Sequence, residues 1–321
     1  MSKFGNKKGF FFVLGFLIVS GGNFLFSQSR IYDRTGIIPG HGLYTSLPGE
    51  SVDMFTGNLT LRYLDIYLPG PNGLDVELWR VYNSKILKDR QQGETASVQA
   101  EHKSWVGIGW TMHIGRVHNY TLNDPIVEFP DGRRETAYPD NYDVGKNITR
   151  EFLKYDKSTY KLYFKNGVIW TFGASATITL ADGSSDPVRL VTKIENAFGH
   201  SITITYDSGK PTMNNIADSM GRVITFVTTG ETDKILTQVK VKAYDSHEVI
   251  YSYSVDTFPN GYTKLTSFTP PALPATSFEY YDGSSNRYEL TKVTTSYGGM
   301  LEYSYANMIF TSIISILTRE W

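Results

Sequence analysis

Residues 160–172 read Tyr160-Lys161-Leu162-Tyr163-Phe164-Lys165-Asn166-Gly167-Val168-Ile169-Trp170-Thr171-Phe172. Two runs of strand-forming residues flank Asn-Gly. That pair accepts positive φ at both central positions of a type I′ turn, so the stretch predicts a β-hairpin. A two-residue turn sets Tyr163 opposite Trp170 and Phe164 opposite Ile169. Both faces are then apolar, and the hairpin is expected to be covered on both sides.

Downstream, strand-like segments recur at Ser201–Asp207, Arg222–Thr228, Leu236–Tyr244, Val249–Val255, Ser277–Tyr281 and Leu301–Tyr305. Turn residues separate them, as in a sandwich, a barrel or a repeat sheet. Tyr-Asp pairs recur at Tyr206-Asp207, Tyr244-Asp245 and Tyr281-Asp282. Two strands and two turns fit that interval, so each step reads as one hairpin added to a growing sheet.

Upstream, Leu59, Leu61 and Tyr63 alternate on one face, and then Leu64, Ile66 and Leu68 carry the apolar set. A phase flip within one strand predicts a β-bulge. Pro69-Gly70-Pro71-Asn72-Gly73 is a turn by composition. Alternation resumes from Leu74 to Tyr82. Gln91 to Ser104 is polar and reads as a loop, and Trp105-Val106-Gly107-Ile108-Gly109-Trp110 leads into another strand. Phe129-Pro130-Asp131-Gly132-Arg133 is a further hairpin signature. No convincing run at helical period follows Ile31.

Lys3, Lys7 and Lys8 precede an apolar run from Phe10 to Val19, which Gly21, Gly22 and Asn23 interrupt. This is the pattern of a signal peptide, with cleavage expected between Ser27 and Gln28. The apolar run falls short of the ~20 residues of a spanning helix. Net charge is −1 over the chain. Without the three lysines the balance is 28 basic against 32 acidic residues, which does not fit a nucleic-acid binder. The chain has no cysteine, which removes thiol catalysis and Cys-ligated metals.

The catalytic search finds little. His113 and His118 lie five apart on an expected strand and so face opposite sides. All six histidines read as surface or hydrogen-bonded residues. There is no Gly-x-Ser-x-Gly elbow and no phosphate-cradling glycine loop. Asp75 and Glu77 share a strand face, as a glycosidase pair would, but read as a solvated edge. Trp79 lies on the same face and is the candidate for stacking on a sugar, against the reading that it packs under a neighbouring loop. Asn58, Asn119 and Asn147 match N-glycosylation acceptors.

Ser51-Val52-Asp53-Met54-Phe55-Thr56-Gly57-Asn58-Leu59-Thr60-Leu61, then Leu68-Pro69-Gly70 and Gly73-Leu74-Asp75-Val76-Glu77-Leu78-Trp79-Arg80-Val81-Tyr82-Asn83-Ser84, resembles the opening segment of many bacterial RHS-repeat proteins. Gly107-Ile108-Gly109-Trp110-Thr111 and Phe129 to Glu135 continue the likeness. Gly199 to Lys210 and Asp218-Ser219-Met220-Gly221-Arg222 resemble degenerate YD repeats, with Gly209-Lys210-Pro211 where the family prefers Gly-Arg-Leu. The resemblance implies a long β-sheet that spirals into a hollow shell. In full-length members such a shell can enclose a C-terminal toxin, released by a self-cleaving core. Nothing in this sequence resembles that core or a toxin.

The expectation is an all-β chain: an N-terminal β-rich domain followed by a YD-repeat-like antiparallel sheet forming part of a shell. Residues 1–27 are the signal peptide, 28–145 the N-terminal domain, 146–306 the repeat region and 307–321 a tail. The tail is apolar, strand-prone and uncharged from Ile313 to Leu317, so self-association is expected. The expected role is structural, in an exported or cell-surface protein without catalysis or cofactor. Its possible partners are a glycan or a toxin cargo encoded downstream. A carbohydrate-binding module is the rival reading, and a glycoside-active enzyme a weaker one.

Overall fold

A computed structural model describes residues 37, 43–44, 49–54, 56–85, 104–179, 185–231, 233–242, 247–282 and 288–306. The expected signal segment, the Ser27/Gln28 cleavage site and the 307–321 tail lie outside these residues, as does the Tyr244-Asp245 pair. Among the described residues there is no α-helix, only a 3-10 turn at Pro71–Gly73. All three sheets are antiparallel, and none closes into a barrel.

The first sheet runs in order β1 (Leu43–Tyr44), β2 (Glu50–Asp53), β3 (Leu59–Leu68), β4 (Val76–Asn83), β5 (Trp110–Thr111). The bulge in β3 is present. Leu64 pairs with Trp79 and Ile66 with Leu78, so Asp65 is the inserted residue. Leu64 is exposed and Ile66 buried, so Leu64 does not join the second apolar set as expected. The insertion turns Asp65 inward instead.

A second sheet joins β14 (Ala174–Thr179) and β15 (Ser185–Leu190) to β6 (Arg116–His118), β7 (Ile126–Glu128) and β8 (Arg134–Thr136). It thus takes strands from both sides of residue 145.

The third sheet has fifteen strands. It begins with β9 (Tyr138–Pro139), β10 (Lys146–Ile148), β11 (Lys154–Asp156), β12 (Lys161–Tyr163) and β13 (Ile169–Thr171). It skips the β14–β15 hairpin and resumes with β16 (Lys193–Glu195), β17 (Ser201–Tyr206), β18 (Met213–Asp218) and β19 (Val223–Thr229). Then follow β20 (Ile235–Lys242), β21 (Glu248–Thr257), β22 (Thr263–Thr269), β23 (Thr276–Tyr280), β24 (Leu290–Thr294) and β25 (Met300–Glu302). From β16 onward every strand pairs with the next in sequence, as hairpin-by-hairpin growth requires. The strands β18, β22 and β24 fall between those expected from sequence.

One face of this sheet is buried. In β17, Ile202 and Ile204 are buried while Thr203 and Thr205 are exposed. Each such isoleucine contributes about 1.5–3 kcal/mol on leaving water. The first sheet packs on this face, and the two share one continuous core.

Six hairpin turns share one five-residue form: Phe129–Arg133, Phe164–Val168, Asn196–His200, Asp218–Arg222, Phe258–Tyr262 and Thr295–Gly299. In each, the fourth residue is a glycine whose N–H donates to the first carbonyl, and the first N–H donates to the fifth carbonyl. These glycines have φ between 81° and 90°. Thr149–Leu153 has the same bonds, with Phe152 at φ 62° in the glycine's place.

This form corrects the expected register at Asn166-Gly167. The loop has three residues, so Leu162 pairs with Trp170 and Tyr163 with Ile169. Only Gly167 has positive φ, while Asn166 accepts the Val168 N–H through its side chain at 3.1 Å. Leu162 and Phe172 are fully buried, and Tyr163 and Ile169 only half so.

Candidate functional site

A pocket of about 320 Å³ lies where the three sheets meet. Strand alternation in β4 directs Leu78 into the core and Glu77 and Trp79 the other way. Asp75, just before β4, joins them at the mouth. The facing wall is the Phe129–Arg133 turn. The interior is apolar: Ile114, Phe129, Phe164, Trp170, Ile194 and Ile202. The rings form a cluster, with Trp170 5.6 Å from Phe129 and 5.1 Å from Phe164. Trp79 therefore stands with Asp75 and Glu77, as expected, and is half-buried over the pocket.

The polar groups of the mouth are partly engaged. Asp75 accepts the Tyr67 hydroxyl at 2.8 Å and the Gly70 N–H at 2.7 Å. Glu77 accepts Trp79 Nε1–H at 2.8 Å. Neither carboxylate pairs with a lysine, arginine or histidine among the described residues. Asp131 has Arg62 at 3.8 Å. Arg133 lies over the Phe129 ring at 3.9 Å and is bonded to Glu135 and Glu151.

A second cluster surrounds Glu128, which is buried. Arg116 Nε reaches it at 2.8 Å, Arg134 Nη2 at 2.9 Å and His118 Nε2 at 2.6 Å. His118 Nδ1 lies 2.7 Å from Asp186. His113 Nε2 is 3.3 Å from Glu128, at an angle outside hydrogen-bond geometry. His113 and His118 thus converge on one carboxylate rather than facing opposite sides. The reason is that β6 begins only at Arg116, and Gly115, at φ 138°, breaks the run before it. Burial alone would raise the Glu128 carboxyl, but Arg116, Arg134 and His113 hold it well below the usual range. Burial, helped by Arg116, lowers His113 to about 4, so its ring is neutral at pH 7. Among the described residues no group of three or more His, Cys, Asp or Glu has metal-binding geometry.

This cluster was missed from sequence. The Phe129–Arg133 turn places Arg134 opposite Glu128, which was readable. Arg116 joins through the pairing of β6 with β7, which no local signal specifies. Of the glycosylation-type asparagines, Asn58 and Asn147 are buried and Asn119 is exposed. Asn58 Nδ2 bonds the Asn83 side chain at 3.1 Å, and Asn147 Nδ2 bonds the Ala137 carbonyl at 2.9 Å.

No curated protein matches this chain. A solved structure titled "Crystal Structure of TcdB2-TccC3-TEV" is similar at a TM-score of 0.35 and 10% identity, over 75% of this chain and 16% of that one. This chain thus spans about a sixth of that chain's length. Residues 49–134, which hold β2 to β7, the first residue of β8 and the Trp79 wall of the pocket, match the family described as Domain of unknown function (DUF6531).

Proposed function

We propose that this chain is an exported structural segment of an RHS-type shell, in which a fifteen-stranded sheet is laid down on an N-terminal core and no catalysis takes place. The observation that carries the reading is the sheet's one-sidedness. Its buried face is filled by the first sheet, while from β16 onward it grows one sequential strand at a time.

One rim of the long sheet adds support. The register places the turns after β10, β12, β16, β18, β22 and β24 at the same end of their strands, and the tip after β12 is the polar Lys165-Asn166-Gly167. The other five tips present Phe152, Phe198, Met220, Leu273 and Tyr297, all exposed. Turns at the opposite end include the polar Asp207-Ser208-Gly209-Lys210 and Pro259-Asn260-Gly261. Strands lie about 4.8 Å apart, so these apolar tips follow one another at roughly 10 to 20 Å along the rim. A row of apolar tips at that spacing suits contact with a second turn of the same kind of sheet.

The test is cryo-electron microscopy of the protein as expressed from its natural gene. Strands pairing onward from β25 around a cavity, with Phe198, Met220 and Tyr297 covered, are expected. A domain in which the outer edge of β25 takes no further strand and those side chains face solvent overturns the reading. Export is tested by the intact mass of protein collected outside the cytoplasm. A start near Gln28 is expected, and retention of Lys3, Lys7 and Lys8 overturns it.

A further inference from the structure

The pocket beneath Trp79 is unused by the shell reading, and its chemistry is specific. Its interior offers Ile114, Phe129, Trp170, Ile194 and Ile202 to a ligand. Its charged side chains, Asp75, Glu77, Asp131 and Arg133, are more exposed than Ile114, Phe129, Ile194 and Ile202. A sugar seated inside would lose water from several hydroxyls with no partner for them, which is unfavourable. The glycan expectation for Trp79 therefore fits this pocket poorly.

An anion fits no better. Asp75, Glu77 and Asp131 line the mouth against a single arginine. That arginine, Arg133, is already held by Glu135 and Glu151. Asp75 and Glu77 have neutral hydrogen-bond donors but no cationic partner among the described residues. Two carboxylates without counter-charge beside an indole, over an apolar interior, are the surroundings that attract an organic cation. A volume of about 320 Å³ admits a short alkyl or aryl group.

We infer that the pocket beneath Trp79 binds an ammonium group on an apolar stem, with the stem against Trp170, Phe129 and Ile194 and the charge at Asp75 and Glu77. Such a group occurs in free amines and in lysine side chains of peptides. Both offer the same chemistry, and a peptide adds backbone contacts outside the mouth.

The test titrates hexylammonium, 1-hexanol, methyl glucoside and a short lysine-containing peptide into the full chain. The readout is the indole N–H resonance of Trp79, assigned with Trp79→Phe. Hexylammonium is expected to shift it and to bind about three- to tenfold more tightly than hexanol, as a partly desolvated cation–π and carboxylate site allows. Glu77→Gln should reduce that preference while the other indole resonances stay in place, showing an intact fold. Tighter binding of the peptide than of hexylammonium would identify a protein-borne lysine as the source, and equal or weaker binding a free amine. Hexanol binding as tightly as hexylammonium, methyl glucoside binding best, or no shift with any probe would overturn the inference. None of these results bears on whether strands continue beyond β25.

Discussion

Asp65 and Arg80 form a fully buried ion pair at the junction of the first and third sheets. Arg80 Nε lies 2.9 Å from Asp65 Oδ2, and each side chain is 1% exposed. Nη2 reaches Oδ1 at 3.1 Å, giving two parallel bonds. Tyr253 of β21 donates its hydroxyl to the same carboxylate at 2.9 Å. The guanidinium stands over Phe268 at 4.5 Å, with Tyr63 and Trp110 at 5.0 Å. Burial would lower the Arg80 pKa, but Asp65 more than offsets it. The pair joins the bulge of β3 to the long sheet and fixes how one sits on the other.

Asp65→Asn keeps the shape but leaves Arg80 charged and unmatched in the core. Stability should fall by about 3–5 kcal/mol, read from the urea midpoint. The double change Asp65→Leu with Arg80→Met should recover much of that loss. A double variant as unstable as Asp65→Asn would mean that the pair's hydrogen-bonded geometry, and not its charge balance, holds the sheets together.

Acid should loosen the Glu128 cluster. His113 titrates near 4 in the folded chain and near 6.5 unfolded, so the unfolded state takes up the proton first. Its contribution is complete above pH 6.5 and declines as pH falls towards 4. Glu128 is depressed too, so its contribution is present above its unfolded value and is lost at still lower pH. Between pH 7.5 and 5, unfolding free energy should drop by roughly 2 kcal/mol through His113. His113→Gln should flatten that slope, as pH-dependent urea melts would show.

The shared turn predicts opposite effects at two equivalent positions. Gly221 has φ 83° and open space where a Cβ would stand, so Gly221→Ala costs only the backbone strain, about 1 kcal/mol. Phe152 already carries that strain at φ 62° while 67% exposed. Phe152→Gly should therefore raise stability slightly, by about 0.5 kcal/mol, in a thermal melt.

Gly107 is a harder case. A Cβ there would meet the Leu265 backbone nitrogen at 2.7 Å, and φ is 114°. The next residue, Ile108, donates its N–H to the Thr263 carbonyl at 2.7 Å, tying the loop before β5 to β22. Gly107→Ala should cost upwards of 2 kcal/mol and speed amide exchange at Ile108, measured by hydrogen–deuterium exchange.

Much of the fold is local and was legible in the sequence. Alternation in Ser201–Tyr206, the glycine turns and the phase flip in β3 each involve neighbours along the chain, and each reappears in the structure. Where local reading went wrong, two local solutions were nearly equivalent. Asn166-Gly167 suits a two-residue turn as well as a three-residue one, and the choice moved every pairing in that hairpin by one. The site was half legible. Alternation placed Trp79 with Asp75 and Glu77, but the opposite wall comes from the Phe129–Arg133 turn and from β13, β16 and β17.

By itself, then, the sequence determined an antiparallel β chain built of glycine-turned hairpins, because strand alternation and positive-φ turns are set within a few residues. Only the tertiary structure decided that Asp65 turns inward to Arg80, that His113 and His118 share Glu128, and that Trp79 roofs an apolar pocket. Those contacts join residues as far apart as Asp65 and Tyr253, and they form only when whole sheets stack. A buried charge finds its partner through the packing of the faces that carry it, and no short stretch of chain specifies that packing.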